Sequence, residues 1–340
     1  MTIETRYYKN RHMSAGEHHE YFDSPELVHS YLLDHSVDSV IGSDIHIAEQ
    51  TGGFANLVYK IETERGGFYL KQRPPFIKSR PEIPRVPEEV RDEIRAYEIF
   101  GAILPEGSLP QLVHVDYDQS LFVTTEVQRG DTLLSHKLAA SDYSIESGAT
   151  LARLIACIHG ETLNSGIAVR EGEREQMFYD RQYQWLVKDL PYTEEGAHSK
   201  AVEVVERLAA SPKSLIWGDL SPKNIILGRA AIGVVDLETV HQGDPAFDLG
   251  YLMGHILLEG IKTGRQDGAD ALVRTIGSEY GMAMTKYADQ GFIDQVAEDA
   301  IVFSGTSMIH RTLASLVPEA KSQGSEVNDR ILVYANNLIN

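Results

Sequence analysis

Asp219, Asn224 and Asp236 are the residues whose types and spacing could do chemistry. Asp219 and Asn224 stand five positions apart in Ile216-Trp217-Gly218-Asp219-Leu220-Ser221-Pro222-Lys223-Asn224-Ile225-Ile226-Leu227. Twelve residues after Asn224 comes Asp236, in Val234-Val235-Asp236-Leu237-Glu238. A carboxylate can accept a hydroxyl proton or orient the hydroxyl. An amide oxygen and a second carboxylate suit a hard cation such as Mg²⁺. A compact loop lets the first pair point the same way, and an apolar strand can deliver Asp236 to them.

The order of segments makes the pattern specific. WGDLSPKN, then VVDLE, then GDPAFDLGYL resembles the aminoglycoside phosphotransferase and choline kinase superfamily, whose fold is protein-kinase-like. Within it the sequence looks closest to the methylthioribose kinase-like branch. TGGFANLVYKI resembles that branch's nucleotide loop, FYLKQRPPF its lysine strand, and LARLIACIH the superfamily's helix ending in a Leu-x-x-Leu-His-type sequence. The resemblance spans about residues 45–255. It implies a bilobal α+β fold with a small β-rich N-lobe and a larger helical C-lobe. It also implies an ATP-dependent kinase, using Mg²⁺, that phosphorylates a hydroxyl of a small molecule. The acceptor classes are a sugar, a sugar-like alcohol or a hydroxylated amine, with an aminoglycoside-type antibiotic or a non-catalytic nucleotide-binding regulator as alternatives.

By position, the resemblance makes Asp219 the catalytic aspartate, and Asn224 and Asp236 the Mg²⁺ ligands. Glu238 matches an acidic position that contacts metal or substrate in some members. Lys71 matches the lysine on the α- and β-phosphates, paired with Glu93 or, as its rival, Glu89. Gly52, Gly53, Phe54, Ala55 and Asn56 would cover the phosphates, where small residues allow close backbone approach. Glu126 and Val127 match the connector that binds adenine through its backbone. Asp248 has two readings: a brace for the catalytic loop, or a charge favoured by a helix N-terminus. Trp217 stands where the family often has His, at a position that supports the loop rather than performing chemistry.

The elements that position these residues are legible from periodicity. Ser24-Pro25-Glu26 reads as a capped helix start, running to about Asp34. Runs at Ile45–Ala48, Leu57–Ile61 and Phe68–Leu70 read as strands, with a Glu64-Arg65-Gly66-Gly67 turn before the third. Residues 74–87 hold five of the 13 prolines and read as a loop. A helix over Glu88–Phe100 and strands at Leu112–Val115 and Leu121–Val127 follow. After Gly130 helical spacing dominates at 143–160, 174–190 and 197–210, and again beyond Ala246. Short strands interrupt it at 214–217, 225–227 and 232–235. The division expected is an N-terminal extension with one helix (1–36), a nucleotide-binding N-lobe (37–127) and a helical C-lobe with the acceptor site (128–340).

Composition excludes several classes. Of 340 residues, 42% are hydrophobic and 24% charged, ordinary for a globular chain. The net charge is −19, from 31 basic and 50 acidic residues. Residues 1–128 carry 12 and 21 of them, so the acidity is spread along the chain and reads as a solvated surface. Such a surface repels phosphate backbones, which argues against nucleic acid as a partner. Cys157 is the only cysteine, so no internal disulfide forms. No signal-like N-terminus or membrane span is expected, and the expected setting is cytoplasmic, as monomer or homodimer. No G-x-S-x-G supports a serine hydrolase, and no D-F-G or A-P-E supports a protein kinase. His159 reads as a packed histidine. Phe178, Tyr179 and Trp185 read as core or acceptor pocket. Ser304, His310 and Arg311, on a late helix, read as solvated or structural, with the substrate side as the alternative.

Overall fold

The computed structural model describes residues 21–50, 53, 55–127, 132–170, 195–209, 214–228, 231–314 and 325–340. Gly52, Phe54 and the expected helix over 174–190, with Phe178, Tyr179 and Trp185, lie outside the described residues. The chain divides into two compact units, Met1–Tyr97 with Pro110–Arg129, and Glu98–Leu109 with Gly130–Asn340. Segment 98–109 therefore groups with the second unit, not with the N-lobe drawn at 37–127. The fold is α+β.

The first unit begins with α1 (Pro25–Asp34), capped by Ser24, and a single turn, α2 (Asp38–Ile41). Strands β1 (His46–Glu49), β2 (Leu57–Thr63) and β3 (Gly66–Gln72) follow. With β6 (Leu112–Asp116) and β7 (Leu121–Thr125) they form an antiparallel sheet in the order β1-β2-β3-β7-β6. Leu57, Tyr59 and Ile61 alternate inward, as a half-buried strand requires. They share one core with Phe22, Val28, Tyr31 and Leu32. Residues 21–36 are thus packed into the sheet's core and not a separate extension. The Tyr59 hydroxyl donates to the Phe22 carbonyl (2.7 Å), and Tyr31 donates to Asp116 (2.8 Å).

The proline-rich segment is not simply a loop. Phe76–Ile77 (β4) and Arg80–Pro84 (β5) pair as a small antiparallel ribbon. Proline is tolerated there because a two-stranded ribbon leaves half its N–H groups without a ladder partner. Helix α3 (Val90–Ile103) then starts with Asp92 and Glu93 in its first turn, where acidic residues complement the helix dipole.

The second unit contains β8 (Thr132–Leu133), α4 (Leu134–Ala139), α5 (Ile145–Glu161) and α6 (Glu195–Ala209). Four short strands come next: β9 (Ser214–Ile216), β10 (Ile225–Leu227), β11 (Ile232–Val234) and β12 (His241–Gly243). Four long helices complete it: α7 (Pro245–Thr263), α8 (Gln266–Met284), α9 (Gln290–Ile309), which continues as a π-helical turn over His310–Ala314, and α10 (Ser325–Ile339). Sequence periodicity does not pick out β8 or β12, which are two and three residues long.

Helices α7 and α9 touch backbone to backbone at Gly254. A Cβ there would lie 2.6 Å from the Ser304 carbonyl oxygen and 2.9 Å from Ser307 Cβ. Overpacking of this kind costs about 1–3 kcal/mol, and the better helix propensity of alanine returns up to about 1. Gly254→Ala is therefore expected to lower stability by about 1–2 kcal/mol in urea denaturation. Unchanged stability would show that α9 can retreat from α7. Among the described residues no helix is long and apolar enough to cross a membrane.

Candidate active site

The site is built by two ribbons. β10 pairs with β11 (Ile225 opposite Val234), and β9 pairs with β12 (Ile216 opposite His241). Loop 217–224 runs from β9 to β10, and loop 235–240 runs from β11 back to β12. Pairing at both ends lays the two loops side by side. The Val235 N–H donates to the Asn224 carbonyl (3.0 Å), and the Thr239 hydroxyl donates to the Trp217 carbonyl (2.7 Å). Arg170 fastens the second loop, donating to the carbonyls of Val240 and Glu238, the latter at 2.7 Å.

Within this frame Asp219 collects donors. Lys223 Nζ lies 3.0 Å from its Oδ2, and Asn224 Nδ2 donates to Oδ2 at 3.3 Å and to the Asp219 carbonyl at 3.0 Å. The Tyr251 hydroxyl lies near the Asp219 carboxylate. Burial, and then the Asp219 charge, hold that phenol well above its ordinary pKa, so it remains a donor. The Asp219 charge likewise pushes Lys223 up, with smaller pushes from Asp236 and Glu238.

Asn224 is 5% exposed. Its Nδ2 is committed to Asp219, which leaves Oδ1, the atom a hard cation takes, on the opposite side of the amide. β11 ends two residues before Asp236, which adopts φ +63°. A non-glycine residue in the left-handed region carries backbone strain, and such strain concentrates at functional sites. Among the described residues no three His, Cys, Asp or Glu side chains form a ready cage for a metal. An oxygen set of Asn224 and Asp236 fits Mg²⁺, which keeps waters and takes substrate phosphates as its other ligands.

The loop stands on a buried brace. Asp248, in the first turn of α7, accepts from the Trp217 N–H (2.7 Å) and the Gly218 N–H (2.9 Å). His159 Nε2 lies 3.1 Å from the same carboxylate, and its Nδ1 lies 3.1 Å from the Tyr280 hydroxyl. The carboxylate only accepts, so His159 donates to it from Nε2. Gly218 has φ +72°, and a Cβ there would lie 2.6 Å from the Thr239 carbonyl oxygen. Trp217 is 1% exposed and packs edge-on against Phe100 (4.6 Å). Its backbone, not its side chain, meets Asp248, so the departure from His leaves the brace in place.

In the first unit, Lys71 points to the opposite face of β3 from Leu70. There Lys71 Nζ meets Glu93 Oε1 at 2.8 Å. Glu89 instead takes Arg73 (2.5 Å), which separates the two rivals. Ala55 and Asn56 are tied to the proline-rich ribbon. Lys78 N–H and Arg85 donate to the Ala55 carbonyl (3.2 and 3.1 Å), and Arg85 also reaches Asn56 Oδ1 (2.8 Å). A Cβ added at Gly53 would meet the Asn56 carbonyl oxygen at 3.5 Å, an ordinary van der Waals contact. The Glu126 N–H donates to the Gly67 carbonyl (2.8 Å).

The model of the phosphotransferase enzyme family, APH, matches residues 46–288. The chain belongs to that family. The match runs from β1 into α8 and takes in Lys71, Asp219, Asn224 and Asp236; it does not separate the methylthioribose kinase-like branch from its sisters. The protein is thus a phosphotransferase. The ethanolamine kinase of Plasmodium vivax is similar in structure, with a TM-score of 0.56 at 14% identity over 98% of this chain and 94% of its own. A choline kinase from Cryptosporidium parvum gives 0.58 at 12% identity, over 93% and 95%. The choline kinase LicA of Streptococcus pneumoniae gives 0.52 at 16%, over 92% and 99%. At these identities the likeness is one of fold, the protein-kinase-like α+β fold. No curated protein sequence matches.

Three side chains at the site escape motif reading. Lys223 precedes Asn224 and reads as a solvated cation until its 3.0 Å contact with Asp219 is seen. Arg85 lies among prolines, 30 residues from the carbonyl it holds. Tyr251 belongs to an apolar helix, and the only signal for it is that Tyr251, His255 and Glu259 repeat at four-residue spacing.

Proposed function

We propose that this phosphotransferase moves the γ-phosphate of ATP to a hydroxyl of a small molecule. The observation that carries this reading is Asp219, held by Lys223 and Asn224 in a loop laid against the Asp236 loop. Asp219 orients the acceptor hydroxyl and takes its proton. Asn224 Oδ1 and the Asp236 carboxylate would hold Mg²⁺, with Glu238 as a further acidic neighbour. When bound, the metal neutralises charge on the phosphates. Lys71, fixed by Glu93, grips the α- and β-phosphates. Residues 52–56 cover the phosphates, and the backbone of Glu126 and Val127 takes the base. Positioning and charge stabilisation account for such catalysis, since little covalent chemistry falls to the protein. ATP as donor and a single cysteine fit a cytoplasmic setting.

The test is ATP consumption against sugars, amino alcohols such as choline and ethanolamine, and aminoglycosides, with and without Mg²⁺. Acceptor-dependent, Mg²⁺-dependent turnover is expected. Tight Mg·ATP binding with no transfer to any hydroxyl compound would remove the kinase reading in favour of a nucleotide-binding regulator.

A further inference from the structure

In the reading above, loop 235–240 presents Asp236 to Mg²⁺, and Asp236 does so from a strained backbone. Its φ of +63° lies in the left-handed region, which an aspartate tolerates better than most residues but does not adopt unaided. Such a conformation persists where the chain on both sides of it is fixed. On the near side the Val235 N–H is bonded to the Asn224 carbonyl (3.0 Å). On the far side residues 237–240 close a turn, in which the Val240 N–H donates to the Leu237 carbonyl (3.2 Å). The guanidinium of Arg170 spans that turn. It donates from Nη2 to the Glu238 carbonyl (2.7 Å) and from Nη1 to the Val240 carbonyl.

Arg170 is 6% exposed, and a guanidinium that far from water has to direct its N–H groups at protein acceptors. Its planar fork suits two carbonyls two residues apart. A lysine ammonium, a point donor on a flexible stem, does not hold such a pair in one geometry. The segment that carries Arg170 is tied to the same ribbon, because Gln242 Nε2, on β12, donates to the Ile167 carbonyl (2.9 Å). Arg170 also follows His159 by eleven residues. His159, on α5, supports the other loop through Asp248. One stretch of chain, α5 and its exit, thus supports both loops of the site: His159 serves loop 217–224 and Arg170 serves loop 235–240.

We infer that Arg170 is a positioning residue for the metal: through the Glu238 and Val240 carbonyls it holds Asp236 in its left-handed conformation, and so sets how tightly the site takes a divalent cation with the nucleotide. The inference rests on the reading of Asp236 as a metal ligand. Arg170 acts through the backbone of the loop. Without its fork, Asp236 relaxes out of the left-handed region and its carboxylate turns from the cation. The divalent ion then binds weakly, while Lys71 still meets the phosphates of the nucleotide.

The test titrates Mn²⁺, standing in for Mg²⁺, by electron paramagnetic resonance with a non-hydrolysable ATP analogue present, and so does not depend on turnover. Arg170→Lys keeps the charge and loses the fork. It should weaken Mn²⁺ binding about tenfold, at the lower edge of the loss usual when an orienting partner of a metal ligand is removed. Its binding of the analogue in EDTA should stay unchanged. In turnover its half-saturating Mg²⁺ should rise by a similar factor, and excess Mg²⁺ should return most of kcat. Gly254→Ala, destabilised where α7 meets α9, controls for lost stability alone and should keep the wild-type Mn²⁺ affinity. Gln242→Leu cuts the tie to Ile167 from a partly exposed position and serves should Arg170→Lys not fold. A shift of about two- to fivefold in the same direction is expected for it. Wild-type Mn²⁺ affinity in Arg170→Lys, or in Gln242→Leu where Arg170→Lys does not fold, overturns the inference, as does an equal shift in Gly254→Ala. No Mn²⁺ binding by the wild type overturns it together with the metal assignment. Arg170-dependent Mn²⁺ binding without transfer to any hydroxyl would sink the kinase reading and leave the inference standing. Transfer with unchanged Mg²⁺ dependence in Arg170→Lys does the reverse.

Discussion

Asp219→Asn lowers kcat by about 10²–10⁴-fold and leaves the affinity for Mg·ATP within about threefold. The expectation follows from what surrounds the carboxylate. Asp219 accepts from Lys223 at 3.0 Å and from Asn224 Nδ2 at 3.3 Å. A carboxylate presents four lone-pair sites and serves both donors with room for the acceptor hydroxyl. A carboxamide offers one oxygen, and its NH₂ must face a donor already in place. It also cannot take the proton that leaves the hydroxyl. Nucleotide binding depends on other groups in this reading, namely Lys71, Asn224 and Asp236, so the loss should fall on kcat. Calorimetry with Mg·ATP and steady-state turnover on the same preparation separate the two terms. Near-normal turnover would remove Asp219 from the chemistry, and a parallel loss of ATP affinity would make it a nucleotide ligand instead.

Much of this protein is legible from local sequence. The segments that carry the family pattern lie in register along the chain, and each is short enough to be read without knowing its tertiary partners. Alternation of Leu57, Tyr59 and Ile61, and the Ser24-Pro25 helix start, announce their elements because one face of each must be buried. What is not legible depends on contacts between distant residues. Glu89 and Glu93 are both acidic residues at the start of one helix, and only the placement of Arg73 and Lys71 on β3 tells them apart. The ribbon Phe76–Pro84 is hidden by prolines that elsewhere would exclude strands. Residues 1–36 read as an extension because their polar start masks Phe22, Val28 and Leu32, which the sheet then buries.

The Asp248 brace makes the largest expected effect on stability, and magnitude decides between its two readings. As a first-turn charge on α7, Asp248 would contribute about 0.3–1 kcal/mol through the helix dipole, and asparagine would replace it at that cost. As a brace it holds the Trp217 and Gly218 N–H groups and His159 in a place where Asp248 and His159 are fully buried. Removing its side chain leaves two backbone donors and an imidazole N–H without an acceptor. Unsatisfied buried groups cost about 1–3 kcal/mol each, and removal of one partner of a buried charged cluster costs about 3–5 kcal/mol in all. Asp248→Ala is therefore expected to lose about 3–5 kcal/mol in urea denaturation, a large fraction of the 5–15 kcal/mol typical of a folded domain. Asp248→Asn should lose a comparable amount, because its NH₂ must face one of the two N–H donors. A cost of the asparagine variant below about 1 kcal/mol would return Asp248 to the dipole role. The same variants should lower kcat even where the fold survives, because Gly218 adjoins Asp219, and freeing its N–H releases the loop that presents the carboxylate.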